Sequence, residues 1–109
     1  MGDERRRHRR VPALFDIVWE GAAGRYEART SDLSEGGCFV DTNGQASAGE
    51  EVVFRLRLPA GGWLELRGEV TYQSPPVGFG VRFTAVSEED RKRLAWLVRA
   101  EGSKAGGRG

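Results

Sequence analysis

The sequence predicts a mainly-β domain: six short antiparallel strands closed into a barrel, followed by one C-terminal α-helix. Three observations predict it. Apolar and polar side chains alternate with period two over residues 52–58 and again over 64–72, as in strands with one buried face. Sixteen glycines against four prolines punctuate the 109 residues with turns. One stretch after Ser87 spaces its apolar residues as a helix does. Six short strands bury themselves more easily in a closed barrel than in an open sheet, because closure removes the edges.

Each element has its own local reason. Residues 11–19 hold Leu14, Ile17, Val18 and Trp19 in a β-branched and aromatic run, and Pro12 keeps its start off a helix. Gly21 and Gly24 mark a turn, and residues 25–30 alternate weakly around Tyr26 and Ala28. Residues 31–37 (Ser-Asp-Leu-Ser-Glu-Gly-Gly) are turn formers, Cys38, Phe39 and Val40 make a short strand, and 41–50 is a polar loop. Val52, Phe54, Leu56 and Leu58 then share one strand face. Pro59-Ala-Gly-Gly62 closes a hairpin into a strand with Leu64, Leu66, Gly68, Val70 and Tyr72 on one side. Ser74, Pro75 and Pro76 turn the chain into a last strand over 77–83.

Ser87 reads as a helix N-cap, with Glu88, Glu89 and Asp90 at the positive end of the helix dipole. Leu94, Leu97 and Val98 form the apolar stripe that must dock on the barrel. Trp19, Trp63 and Trp96 are expected in the core. The organisation that results is a flexible basic arm over 1–10, a barrel with its helix over 11–100, and a disordered tail over 101–109. That tail has no apolar side chain larger than alanine.

Composition narrows the function. Apolar residues make up 39% of the chain, enough for one modest core. No run approaches a membrane span and the start lacks a signal-peptide core, so a reducing, cytoplasmic setting is expected. With one cysteine, Cys38, and one histidine, His8, neither an internal disulfide nor a Cys-based metal cluster can form. Cys38 reads as a small apolar strand residue, and His8 as a neutral spacer among arginines. No Ser-His-Asp set and no phosphate-binding loop of an enzyme is visible, so a non-enzyme is expected, with no cofactor and no metal.

Charge is unevenly spread. Residues 1–10 carry Arg5, Arg6, Arg7, Arg9 and Arg10 against Asp3 and Glu4, for +3; with +1 for the whole chain, the rest holds −2. A solvated basic arm is one reading of this cluster. Anion binding is the other, because a planar guanidinium fork pairs bidentately with phosphate or with O6 and N7 of guanine. A second segment, Asp32-x-Ser34-x-x-Gly37, reads either as an ordinary turn or as a base-reading one. In the turn reading, Asp and Ser bond local backbone and Gly supplies positive φ. In the other, the carboxylate accepts from guanine N1–H and N2–H₂, and glycine leaves room for a ligand against backbone. A small anionic guanine nucleotide satisfies both segments at once.

The two motifs, RxxxR as Arg6-Arg-His-Arg-Arg10 and [D/N]xSxxG as Asp32-Leu-Ser-Glu-Gly-Gly37, resemble the paired signature of PilZ domains, receptors for the bacterial second messenger cyclic di-GMP. The resemblance covers residues 4–100, including the hairpin over 49–72, the strand Gly78-Phe-Gly-Val-Arg-Phe83 and the helix start Ser87-Glu-Glu-Asp-Arg. It implies a six-stranded antiparallel barrel with a C-terminal helix. It also implies that Arg6 and Arg10 bind phosphate and guanine, that Asp32 bonds a guanine, that Ser34 contacts ligand or orients its loop, and that Gly37 permits close approach. Arg5–Arg9 also satisfies RxxxR; Arg6–Arg10 is preferred because the first strand then begins directly afterwards. Arg5, preceding the motif, implies an intercalated ligand dimer. Tyr72 stands where some relatives place a tryptophan beside the guanine, and its other reading is barrel packing.

The function this implies is a cyclic di-GMP receptor. Its arginine arm closes on the barrel over the nucleotide and changes a surface read by a downstream protein. Two alternatives differ in class. One is a PilZ-like adaptor acting by protein contact without nucleotide. The other is a small barrel binding single-stranded nucleic acid through the arm, which the acidic remainder argues against.

Overall fold

The computed structural model describes residues 10–106. Its strands are β1 (Val11–Pro12), β2 (Asp16–Gly21), β3 (Gly24–Leu33), β4 (Gly37–Asp41), β5 (Glu51–Arg57), β6 (Trp63–Ser74) and β7 (Gly78–Ala85), followed by α1 (Glu88–Gly106). Pairing runs β3-β2-β5-β6-β7-β4 and closes through β3–β4, all antiparallel. This is the six-stranded barrel the alternation predicts, with the two-residue β1 added to β3 beside β2. Among the described residues no helix is long and apolar enough to cross a membrane.

The strand expected over 11–19 is split. Both halves lie against β3, and the gap between them is bridged by one side chain. The buried Thr30 hydroxyl accepts from Phe15 N–H at 3.0 Å and donates to Ala13 C=O at 2.8 Å. It replaces ladder bonds that the kink removes, and Leu14 is turned outward. Trp19 is fully buried, stacked on Tyr26 at 4.7 Å, with its indole N–H donating to Thr42 Oγ1.

Two tryptophans expected inside lie outside. Trp63, the first residue of β6, sits opposite Arg57 and lies under its guanidinium, 5.5 Å from the ring centroid. Trp96 falls off the Leu94, Leu97, Val98 stripe and stands on the solvent face of α1. The Ser87 hydroxyl accepts from Asp90 N–H at 3.1 Å, capping the helix start as expected. The helix then runs past residue 100 to Gly106. Its Gly102 lies close against the buried Val11 side chain, so packing on β1 holds a turn that glycine propensity alone would leave frayed.

Two bulges decide what the barrel's outer wall displays. On β3, Thr30 pairs with Val40 but Asp32 pairs with Phe39, leaving Ser31 as an extra residue. On β6, Val70 pairs with Val81 but Tyr72 pairs with Gly80, leaving Thr71 over. One extra residue reverses the face of everything beyond it. Asp32 and Tyr72 therefore point outward, although strict alternation from Thr30 and Val70 would send both inward.

Candidate functional site

Across the outer wall the registers line up one row: Pro12 beside Asp32, Asp32 beside Phe39, Phe39 beside Gly80, Gly80 beside Tyr72. The row places a carboxylate at one end and two aromatic rings at the other. The rings of Phe39 and Tyr72 are 6.0 Å apart at 34°, a tilted pair spanning the intervening strand. Gly80 makes this possible, since a Cβ there would overlap the Tyr72 ring. Tyr72 is thus neither inside the barrel nor free of it; half of its surface faces water.

The last arginine of the basic cluster reaches the same row. Arg10, immediately before β1, places Nη1 2.8 Å from Asp32 Oδ1. Both side chains keep substantial contact with solvent, so the pair is accessible from outside. Arg5, Arg6 and His8 lie outside the described residues. Beneath the pair sits Cys38, fully buried; burial pushes its thiol far above the ordinary range, and the Asp32 charge adds to this while Arg10 opposes it. This thiol is no nucleophile.

Ser34 is buried and committed to its own turn. Its hydroxyl accepts from Gly36 N–H at 3.1 Å and from Gly37 N–H at 3.0 Å, and it donates to Gly37 C=O at 3.2 Å. Of the two roles expected for it, orienting the loop is the one these bonds perform. Gly37 is not at positive φ. It is needed because β7 passes so close that a Cβ would overlap the Val81 carbonyl oxygen. The room it leaves is filled by a neighbouring strand. Arg82, opposite Gly37, is held by Glu69 at 2.6 Å beside this row.

Sequence reasoning passed over Phe39 and Gly80. Both were read only as strand residues, and the register of β4 with β3 and β7 is what brings them between Asp32 and Tyr72. Among the described residues no group of three or more His, Cys, Asp or Glu side chains is arranged to hold a metal ion.

The sequence matches the family model of the PilZ domain over residues 4–100. The chain belongs to the PilZ family. Similar solved structures agree with this PilZ fold. The PilZ domain with c-di-GMP of YcgR from Escherichia coli matches with a TM-score of 0.73 at 19% identity, over 93% of this chain and 94% of that one. The PilZ domain of CeSA from a cellulose-synthesizing bacterium matches with 0.65 at 24%, over 84% and 96%. The Bacillus subtilis inhibitor of motility (MotI/DgrA) matches with 0.73 at 19%, over 88% of this chain and 50% of its own, so the PilZ chain spans half that protein's length. No curated protein matches the sequence.

Proposed function

We propose that this PilZ domain is a cytoplasmic, non-enzymatic receptor for cyclic di-GMP, bound on the outer wall along the row from Asp32 to Tyr72. The observation that carries the reading is the contact between Arg10 and Asp32, one residue from each motif, at the end of an aromatic strip. Family membership and the YcgR domain described with c-di-GMP support it.

The chemistry follows from the groups present. The Asp32 carboxylate accepts from guanine N1–H and N2–H₂. Guanidinium forks from Arg10 and Arg6 take the phosphates or the O6/N7 edge of guanine. Tyr72 and Phe39 offer ring faces to a base. An ion pair as exposed as Arg10–Asp32 contributes about 0–1 kcal/mol, so a nucleotide that satisfies both partners separately exchanges it at little cost. Ser34 and Gly37 fix the turn behind Asp32 without touching ligand themselves. Arg5 extends the arm toward a second, intercalated nucleotide. Closing the arm alters the surface around β1, and a downstream protein reads that change.

Titration calorimetry of the purified chain with cyclic di-GMP, with GTP and cyclic di-AMP as controls, tests the reading. Saturable binding of cyclic di-GMP alone is expected, and two nucleotides per chain would support the role given to Arg5. Absence of binding, or equal binding of all three, would overturn it in favour of an adaptor acting by protein contact.

A further inference from the structure

Helix α1 presents a surface that nucleotide binding leaves unused. Trp96 is 59% exposed although Leu94, Leu97 and Val98 around it are buried. Beside it lies a concavity of about 420 Å³ lined by Leu58, Pro59, Ala60, Arg93, Trp96 and Leu97. Arg93 is the one charged residue that lines it. The wall opposite the helix is pre-shaped: Leu58 N–H donates to Gly62 C=O at 2.9 Å, and Gly61 N–H to Leu58 C=O at 3.0 Å. Gly61 and Gly62 hold that turn at φ of +108° and +87°.

Beyond its acidic first turn, Glu88 to Asp90, the helix beside this hollow is basic. Arg91, Lys92, Arg93 and Arg99 lie on the helix with no acidic residue from 91 to 100. Lys92 and Arg99 stand one turn to either side of Trp96 on its exposed face. Among the described residues neither makes an ion pair. Arg93 contacts Glu89 at 3.4 Å and Asp90 at 3.3 Å, long and exposed contacts that a better-placed carboxylate can displace. A tryptophan and arginines around an apolar hollow are the composition of a protein-binding hot spot.

We propose that this hollow docks a segment of another protein that carries one large apolar side chain flanked by carboxylates. Its shape decides against a lipid surface, which receives protruding apolar side chains, whereas a hollow receives an inserted one. A two-fold contact with a second copy would set the same cations against one another. A nucleic-acid strand would find a mainly apolar lining with one charged residue, Arg93.

The test uses the full chain and short fluorescein-labelled peptides read by anisotropy. One has a central leucine flanked by glutamates; the others replace the glutamates by serines or lysines, or the leucine by alanine. The glutamate–leucine peptide should bind about tenfold tighter or more than each of the others. Trp96→Ala should remove that advantage, and Trp63→Ala, at the other exposed tryptophan, should keep it. Cyclic di-GMP titration of Trp96→Ala reports whether the domain is intact, independently of the peptide result. Equal binding of all peptides, binding to none at millimolar concentration, or an unchanged Trp96→Ala would overturn the proposal. So would Trp96-dependent attachment to phosphatidylserine vesicles, or Trp96-dependent dimerisation in sedimentation equilibrium, in place of peptide binding.

Discussion

Arg10 and Asp32, 22 positions apart in the chain, meet at 2.8 Å on the outer wall of the barrel, each still open to water. Such a pair adds little to folding and is well placed for recognition. Asp32→Ala should therefore change urea-unfolding stability by no more than about 1 kcal/mol. The same variant, and Arg10→Ala, should weaken cyclic di-GMP binding by about 2–4 kcal/mol, as expected when one partner of a charged hydrogen bond is lost. Normal affinity in both would remove the nucleotide from this end of the row.

Tyr72 and Gly80 separate platform from scaffold. Tyr72→Ala should fold normally, since half of the ring is exposed, and should lose about 1–3 kcal/mol of binding if a base stacks there. Gly80→Ala keeps the ring but forces it off β7, because the new methyl overlaps it. Calorimetry on the two should show losses of similar size. Full affinity in Gly80→Ala would mean that the ring's position is irrelevant to ligand.

Ser34 makes the opposite case. Its buried hydroxyl receives two backbone N–H groups, which Ser34→Ala would leave without a partner. Loss of about 1–3 kcal/mol of stability is expected in urea titration. A variant as stable as the parent would show that the turn holds itself.

Cys38 makes stability depend on alkaline pH. Burial raises its folded-state pKa well above the value of about 8.5 it has when unfolded. The contribution is complete below the unfolded value and is lost as pH climbs above it, because only the unfolded chain releases the proton. The slope approaches about 1.4 kcal/mol per pH unit for one proton. Subtracting the profile of Cys38→Ala from that of the parent isolates it. Parallel profiles between pH 9 and 10 would contradict a thiol sealed in the core.

Much of this was legible in the residues and some was not, for separable reasons. The hairpin of β5 and β6 follows from strict alternation, and the Ser87 cap from its spacing to Asp90. Trp96 was also recoverable: with Leu94, Leu97 and Val98 inward, helical geometry leaves position 96 outside. Trp63 was recoverable in the same way, since alternation from Leu64 puts it outward; only the guanidinium that covers it could not be read. The bulges at Ser31 and Thr71 have no signature in a period-two pattern, so the outward turn of Tyr72 was hidden. The reason the fold itself needs glycine at 37, a close neighbouring strand, is visible only once β4 and β7 are paired.

Those same bulges give the wall an unusual relation to the gene. Ser31 and Thr71 are each uncounted by the strand they face. Dropping the codon for Thr71 regularises the ladder with β7 and leaves the tyrosine opposite Gly80; dropping the one for Ser31 regularises only the ladder with β4, because β1 pairs with the other edge of β3. The two deletions differ on the far edge: the Ser31 carbonyl accepts from Ala13 N–H at 3.1 Å, so losing that codon also breaks the seam between β3 and the segment before β2.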